Sequence, residues 1–251
     1  MIRHIVDDVY QIAEYLPVRA GVEAVLVYVL LNDGRPILID CGAQLHRVGI
    51  MRDLTELLDA RVPEVVILTH SELPHAGNLS HIAREWPGVR VIVSNVMLPY
   101  IEITPQVPLA NISTAHAGAL LTPAGRPLQF VFALLKDQPG SQWIFDPRTG
   151  VLFCGDGFGY ATTAADVQLF GDELPGGVSV AQFRGHHQTA FHYLRWVIPE
   201  RFNADMDALF ARHDVRVLAP IHGNAIRADI PGHVARLKQA VAEIRAAGVH
   251  A

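Results

Sequence analysis

Val65-Val66-Ile67-Leu68-Thr69-His70-Ser71-Glu72-Leu73-Pro74-His75-Ala76-Gly77-Asn78 joins an unbroken apolar run to a loop rich in groups that bind cations. Such a run, following Pro63, predicts a strand buried on both faces, as in a parallel sheet. In sheets of that kind functional groups collect beyond the carboxyl ends of strands, where His70, Glu72 and His75 stand. Other apolar runs end in the same way: Asp40 follows Pro36-Ile37-Leu38-Ile39, Asp156 follows Val151-Leu152-Phe153-Cys154-Gly155, and His222 follows Val217-Leu218-Ala219-Pro220-Ile221. Imidazole and carboxylate supply nitrogen and oxygen ligands suited to iron, manganese or zinc. A lone strand-end Asp more often caps a turn, and a lone His-Gly more often bonds backbone. It is their joint placement that points to a metal site.

Working outward, residues 24–31 and 36–40 are β runs separated by Asn32-Asp33-Gly34, which tolerates positive φ and predicts a hairpin. Ile50, Leu54, Leu57 and Leu58 mark one helical face before the strand at 65–68, completing a β-α-β unit. Residues 77–86 predict a second short helix and 89–93 a third parallel strand. From Pro127 the pattern becomes a meander, with strands at 128–135, 142–145 and 151–154 and a turn at Asp146-Pro147-Arg148-Thr149-Gly150. Beyond the loop at 171–177 a helix is expected over 189–198. Another follows Pro199, with Phe202, Met206, Leu209 and Phe210 on one face. A strand at 215–219 and a closing helix carrying Ile230, Val234, Leu237, Val241 and Ile244 end the pattern. Two β-rich halves, each flanked by helices, predict an α/β fold of four layers, an αββα sandwich, as a single domain over residues 1–251.

With 251 residues, 50% hydrophobic and 18% charged, the chain can bury a large core without staples. A net charge of −5 without a basic run leaves nothing to match a phosphate backbone, so no nucleic-acid partner is expected. The N-terminus is acidic within its first eight residues and lacks the apolar core of a signal peptide. No apolar run approaches the roughly 20 residues of a membrane span. A cytoplasmic protein with no membrane partner is the expectation. Cys41 and Cys154 sit in apolar, strand-like surroundings and read as buried reduced thiols. Of the thirteen histidines, His4, His46, His81, His116, His213, His233 and His250 stand alone and read as solvated or hydrogen-bonded imidazoles.

The loop from His70 to Asn78 resembles the His-x-His-x-Asp-His-x-Gly-Asn loop of the metallo-β-lactamase superfamily. Glu72 in place of the second histidine is similar to the flavodiiron proteins and the related oxygen-binding diiron proteins. The resemblance continues through Phe153-Cys154-Gly155-Asp156-Gly157-Phe158-Gly159 and Pro220-Ile221-His222-Gly223, and reaches from Asp7-Asp8-Val9-Tyr10 to Gly223. It implies that His70 and Glu72 bind one metal, His75 and His222 another, and that Asp156 bridges them. The chain departs from the pattern twice. Pro74 stands where an aspartate is expected, and Leu135-Lys136-Asp137 where a histidine is expected at the end of the strand that includes Gln129.

Glu72 and Asp156 supply −2 against the +4 of two divalent ions, and an inward Lys136 would repel cations further. Three arrangements are open at this point. Waters or another side chain such as Asp137 complete a two-ion centre; one ion sits on His75, Asp156 and His222; or the site holds no metal and Lys136 pairs with Glu72 or Asp156. His186 and His187, in Arg184-Gly185-His186-His187-Gln188-Thr189-Ala190-Phe191-His192, read as solvated groups near a helix start. The sharper reading brings one of them into the cleft as a substitute ligand or proton donor.

A carboxylate in place of an imidazole favours redox iron over zinc, with zinc or manganese as the alternative ions, and the resemblance implies chemistry on dioxygen or nitric oxide. No flavin is expected in this chain, because residues up to Ala251 show no later phosphate-binding loop. An external electron donor and a homodimer are implied by the resemblance. The competing classes are a metal-dependent hydrolase of an ester, thioester or lactone, and a non-catalytic binding protein that has lost its metals. Hydrolysis needs a metal-bound water, and Pro74 removes the aspartate that would hold it.

Overall fold

Period-two alternation sorts the strand residues into two faces in the computed structural model, which describes residues 1–19, 21–101 and 104–248. His250 lies outside the described residues. The first sheet has seven strands in chain order: β1 (Ile2–Val6), β2 (Val9–Val18), β3 (Gly21–Leu30), β4 (Ile37–Ile39), β5 (Val65–Ile67), β6 (Arg90–Ser94) and β7 (Ile112–Ala115). β1 to β4 pair antiparallel, and β4 to β7 pair parallel. The second sheet contains β8 (Leu120–Leu121), β9 (Leu128–Phe132), β10 (Gln142–Asp146), β11 (Val151–Gly155) and β12 (Val217–Pro220), in the order β12-β11-β10-β9-β8. Among the described residues, six α-helices accompany the sheets: α1 (Arg47–Leu58), α2 (Leu73–Ala76), α3 (Leu79–Glu85), α4 (Val180–Ala190), α5 (Pro199–Arg212) and α6 (Ile230–Gly248).

Three apolar layers separate four structural ones. Leu26, Tyr28 and Leu30 of β3 face Phe130, Ile144 and Phe153 of the second sheet. The alternate residues Val27 and Val29 face outward onto Ile50, Leu54 and Leu58 of α1. On the far side, Leu152 and Cys154 pack with Phe183 of α4, Met206 of α5 and Leu237 of α6. The αββα sandwich therefore follows from alternation in the strands and from i, i+4 spacing in the helices. The hairpin at Asn32-Asp33-Gly34 forms as expected, with positive φ at all three residues and antiparallel pairing of β3 with β4. Cys41 and Cys154 are free and buried. Among the described residues, no helix is long and apolar enough to cross a membrane.

β7 and β8 are strands beyond those expected, and two further parts differ from expectation. β1 and β2 precede the hairpin, and β2 pairs with β3 along ten residues. Gln11, Ile12 and Ala13 are buried in succession, so β2 lacks the alternation that would have marked it. The second correction concerns the helix expected over 189–198. α4 instead runs from Val180 to Ala190, and His192–Trp196 is a 3-10 turn. A capping box starts α4: Ser179 Oγ accepts the Gln182 N–H at 3.2 Å, and Gln182 Oε1 accepts the Ser179 N–H at 3.0 Å. Only Phe183 and His187 of α4 are buried, so its inward face carries too little apolar signal to reveal it.

Arg126 is a buried cation that joins the two sheets. Its guanidinium donates to Asp8 Oδ2 at 2.7 Å and to Asp146 Oδ2 at 2.6 Å, with the Asp146 side chain wholly buried.

Candidate metal centre

The strand-end groups converge at one edge of the sandwich. Asp40 follows β4 with φ of 59°, and its amide donates to Ile67 O at 2.8 Å, locking the ends of β4 and β5 together. Its Oδ1 accepts the Thr69 N–H at 2.7 Å and its Oδ2 the Thr69 hydroxyl at 2.6 Å. His75 Nδ1 donates to the same Oδ2 at 2.9 Å. Asp40 thus lies behind the site as a positioning residue that aims His75 Nε2 inward. The loop is fixed further by Asn78, whose Nδ2 reaches the carbonyls of Cys41, Gly42 and Ala43 at 3.0, 3.2 and 3.0 Å. Pro74 lies in the first turn of α2, where a missing N–H costs nothing. A Cβ at Gly77 would lie 2.5 Å from Leu73 O, so the loop can close only on glycine.

His222 is carried by a loop tied to β3. Leu26 donates its N–H to Ile221 O at 3.0 Å, and Gly223 donates to Ala24 O at 3.0 Å. Gly223 has φ of 98°, and a Cβ there would meet the Tyr160 ring at 2.6 Å. Buried Gln11 reaches this loop from β2, donating to Asn224 Oδ1 at 2.9 Å.

Ligand atoms of six residues point toward one another. His70 Nε2 lies 3.2 Å from Asp137 Oδ2, 3.8 Å from Asp156 Oδ2 and 3.9 Å from Glu72 Oε2. His75 Nε2 lies 2.9 Å from Asp156 Oδ1, and His222 Nε2 lies 3.6 Å from it. Two groups of donor atoms fall within 4.8 Å of one another: His70, His75 and Asp156, and His70, Glu72, Asp137 and Asp156. Buried His70 Nε2, His75 Nε2, Asp137 Oδ2 and Asp156 Oδ1 have no hydrogen-bond partner. Buried polar atoms left unpaired are costly, and a cluster of them facing one point fits a cation.

The electrostatics agree. Burial pushes the Asp156 carboxyl up, but the imidazoles of His75, His70 and His222 outweigh it and hold Asp156 well below the usual carboxylate range. Burial pushes His75 down, yet the carboxylates of Asp40 and Asp156 raise it to about 9.

Lys136 does not enter the site, contrary to the inward orientation considered above. Its ammonium sits 3.4 Å from the centroid of the Phe132 ring, where a cation is attracted to the π face. Its neighbour Asp137 turns inward instead. Lys136→Ala should therefore leave metal content unchanged within error, which elemental analysis of the two proteins would check; a clear rise would show that the ammonium does oppose the metal.

His186 and His187 fall in the second half of α4 rather than near a helix start, and they part company there. His186 Nδ1 lies 2.8 Å from Glu23 Oε1, and His222 Nδ1 lies 3.3 Å from Glu23 Oε2, so one carboxylate on β3 faces both imidazoles. Burial pushes Glu23 up, but hydrogen bonding to His186 and His222 brings it down to about 2. The sequence reading missed Glu23; its only signal was a charged residue beside the apolar run of β3. Gln138, whose Nε2 donates to Glu72 Oε1, was missed as well. Glu23, Glu72, Pro74, Asp156, His186 and His222 line an open cleft of about 770 Å³.

His187 is buried with Phe183 and Phe191, its Nδ1 donating to Phe183 O at 2.7 Å. Burial, reinforced by the charge of His186, lowers it to about 3. The native state therefore prefers neutral His187. That stability is complete above the unfolded value near 6.5 and is lost as pH falls from there toward 3. Between pH 7 and 5 the loss should be on the order of 2 kcal/mol. Urea denaturation at both values should show His187→Leu losing less stability on acidification than the parent; equal losses would contradict the burial of a neutral imidazole.

Comparison with known proteins follows the same lines. Residues 20–198 match the family model described as the Metallo-beta-lactamase superfamily. The chain is 25% identical over 146 residues to an anaerobic nitric oxide reductase flavorubredoxin of Aeromonas salmonicida, covering 58% of this chain and 28% of that protein. A flavo di-iron protein mutant from Thermotoga maritima superposes with a TM-score of 0.81 at 15% identity, covering 96% of this chain and 62% of the other. The rubredoxin oxygen:oxidoreductase of Desulfovibrio gigas superposes with a TM-score of 0.72 at 17% identity, covering 99% and 62%. The chain spans from about a quarter to about half the length of the curated relatives it matches.

Proposed function

Because this chain belongs to the metallo-beta-lactamase superfamily, we propose that its site is a non-heme iron centre of the flavodiiron kind, which binds, senses or reduces dioxygen or nitric oxide. His70, Glu72, His75, Asp156 and His222 would be ligands. The observation that carries this reading is the convergence of unpaired, buried nitrogen and oxygen atoms at the strand ends. The Glu72 carboxylate, standing where the superfamily loop has its second imidazole, favours iron over zinc. Relatives whose names specify nitric oxide and oxygen chemistry support the same reading.

Iron bound here would supply an open coordination position and electrons to the diatomic gas. The chain's own residues hold the surroundings. Asp40 keeps His75 Nε2 turned inward, and Gln138 Nε2 donates to Glu72 Oε1 at 2.9 Å, which leaves Oε2 toward His70. Glu23 orients His186 and His222 on the cleft wall. Pro74 presents no carboxylate to hold a hydrolytic water beside Asp156. Electrons would come from an external donor, and the working unit would be a homodimer.

Spectroscopy tests the assignment. Protein loaded with ferrous iron without air should change its visible absorption when dioxygen or nitric oxide is admitted. No response to either gas, together with zinc-dependent hydrolysis of a lactone or thioester, would overturn it.

A further inference from the structure

Asp137 occupies the place of an expected imidazole, and the residues around it are arranged to present one bare oxygen. Its Oδ1 accepts the Gln138 N–H at 2.8 Å and the Ser141 hydroxyl at 3.2 Å. Its Oδ2 has no hydrogen-bond partner, lies 3.2 Å from His70 Nε2 and belongs to a side chain only 9% exposed. The same segment also steadies Glu72: Gln138 donates to it, and Ser71 in turn donates to Gln138 Oε1 at 2.8 Å. The carboxylates of Glu72, Asp137 and Asp156 then meet one imidazole within a single cluster.

The opposite side is poorer in charge. His75 and His222 share Asp156 with the first cluster, and Pro74 adds nothing. Among the described residues, no mutually close group of three donor atoms includes His222. Glu23 faces the Nδ1 atoms of His186 and His222 rather than joining Asp156.

We propose, building on the metal-centre reading above, that Asp137 is a metal ligand and that the two sides of the centre fill in order. A first divalent cation binds His70, Glu72, Asp137 and Asp156, more tightly than any second ion at His75 and His222. Three carboxylates against one dication give a local balance of −1, whereas the second side alone has only the shared carboxylate to offer. Three oxygen donors and one nitrogen also favour manganese(II) or iron(II) over zinc.

The test is a titration of the metal-free full chain with manganese(II), following free ion by electron paramagnetic resonance and the melting temperature in parallel. The parent protein should show one tight ion per chain and then a weaker class. Asp137→Asn should weaken the tight class by about 100-fold, at or beyond the upper end of what loss of an outer-shell partner costs. Its melting temperature in chelator should match the parent, and the rise on adding manganese should shrink. His222→Ala should leave the tight class in place. Two equal classes, a tight class that survives Asp137→Asn, or one that disappears in His222→Ala would overturn the proposal while leaving the metal centre standing. Failure of the parent to bind manganese or iron at all would overturn both.

Discussion

Asp156→Ala will strip the chain of bound metal, whichever ion it carries. Asp156 is the one carboxylate common to both groups of converging donor atoms, with Oδ1 toward His75 and His222 and Oδ2 toward His70. Removing it leaves the imidazoles without the charge that holds a dication between them. Metal content by elemental analysis should fall to about one tenth of the parent or less, a larger loss than removal of an outer-shell partner produces. The far-ultraviolet spectrum should be retained, because the sandwich layers pack away from this side chain. Full metal content in a folded Asp156→Ala protein would show that Asp156 does not join the two sides.

Arg126→Met should cost about 3–5 kcal/mol of stability, through a different mechanism. The guanidinium holds Asp8 and the fully buried Asp146 together, and Asp146 also accepts the hydroxyl of Thr149. Burial pushes Asp8 up, but the hydrogen bond and charge of Arg126 outweigh it and leave Asp8 lowered. Its share of the stability is therefore present above the ordinary carboxylate range and is lost as pH falls through the lowered value. Removing the cation leaves Asp146 buried without a counter-ion, which is the expensive half of a broken ion pair. The double variant Arg126→Met with Asp146→Leu should recover most of the loss, since the fully buried carboxylate is then no longer left without its counter-ion. Chemical denaturation of the parent, the two single variants and the double variant checks this; purely additive losses would contradict the coupling.

Much of this molecule is legible in its sequence because alternation and helical spacing are direct consequences of which faces are buried. The strands around Leu26, Val66 and Phe153, the hairpin at Asn32 and the faces of α1, α5 and α6 could all be read that way. β2 could not, because Gln11 is buried for its bond to the His222 loop and so breaks the pattern. α4 could not either, because half of its buried face is an imidazole. At the site, strand-end position picked out Asp40, His70, Asp156 and His222, but position along the chain does not say which group faces the centre. Asp40 turns out to stand behind His75. Lys136 and Asp137 are adjacent and face different surroundings, the first toward Phe132 and the second toward His70. Glu23 is far from the loop in sequence and reaches the cleft only because β3 runs beside the His222 segment.

Elemental analysis of the protein, produced in iron-supplemented medium and purified without air or added metal, tests the central claim most directly. The expected result is iron bound to the chain in at least one equivalent, with little zinc. A folded protein carrying neither iron nor any other transition metal would contradict it.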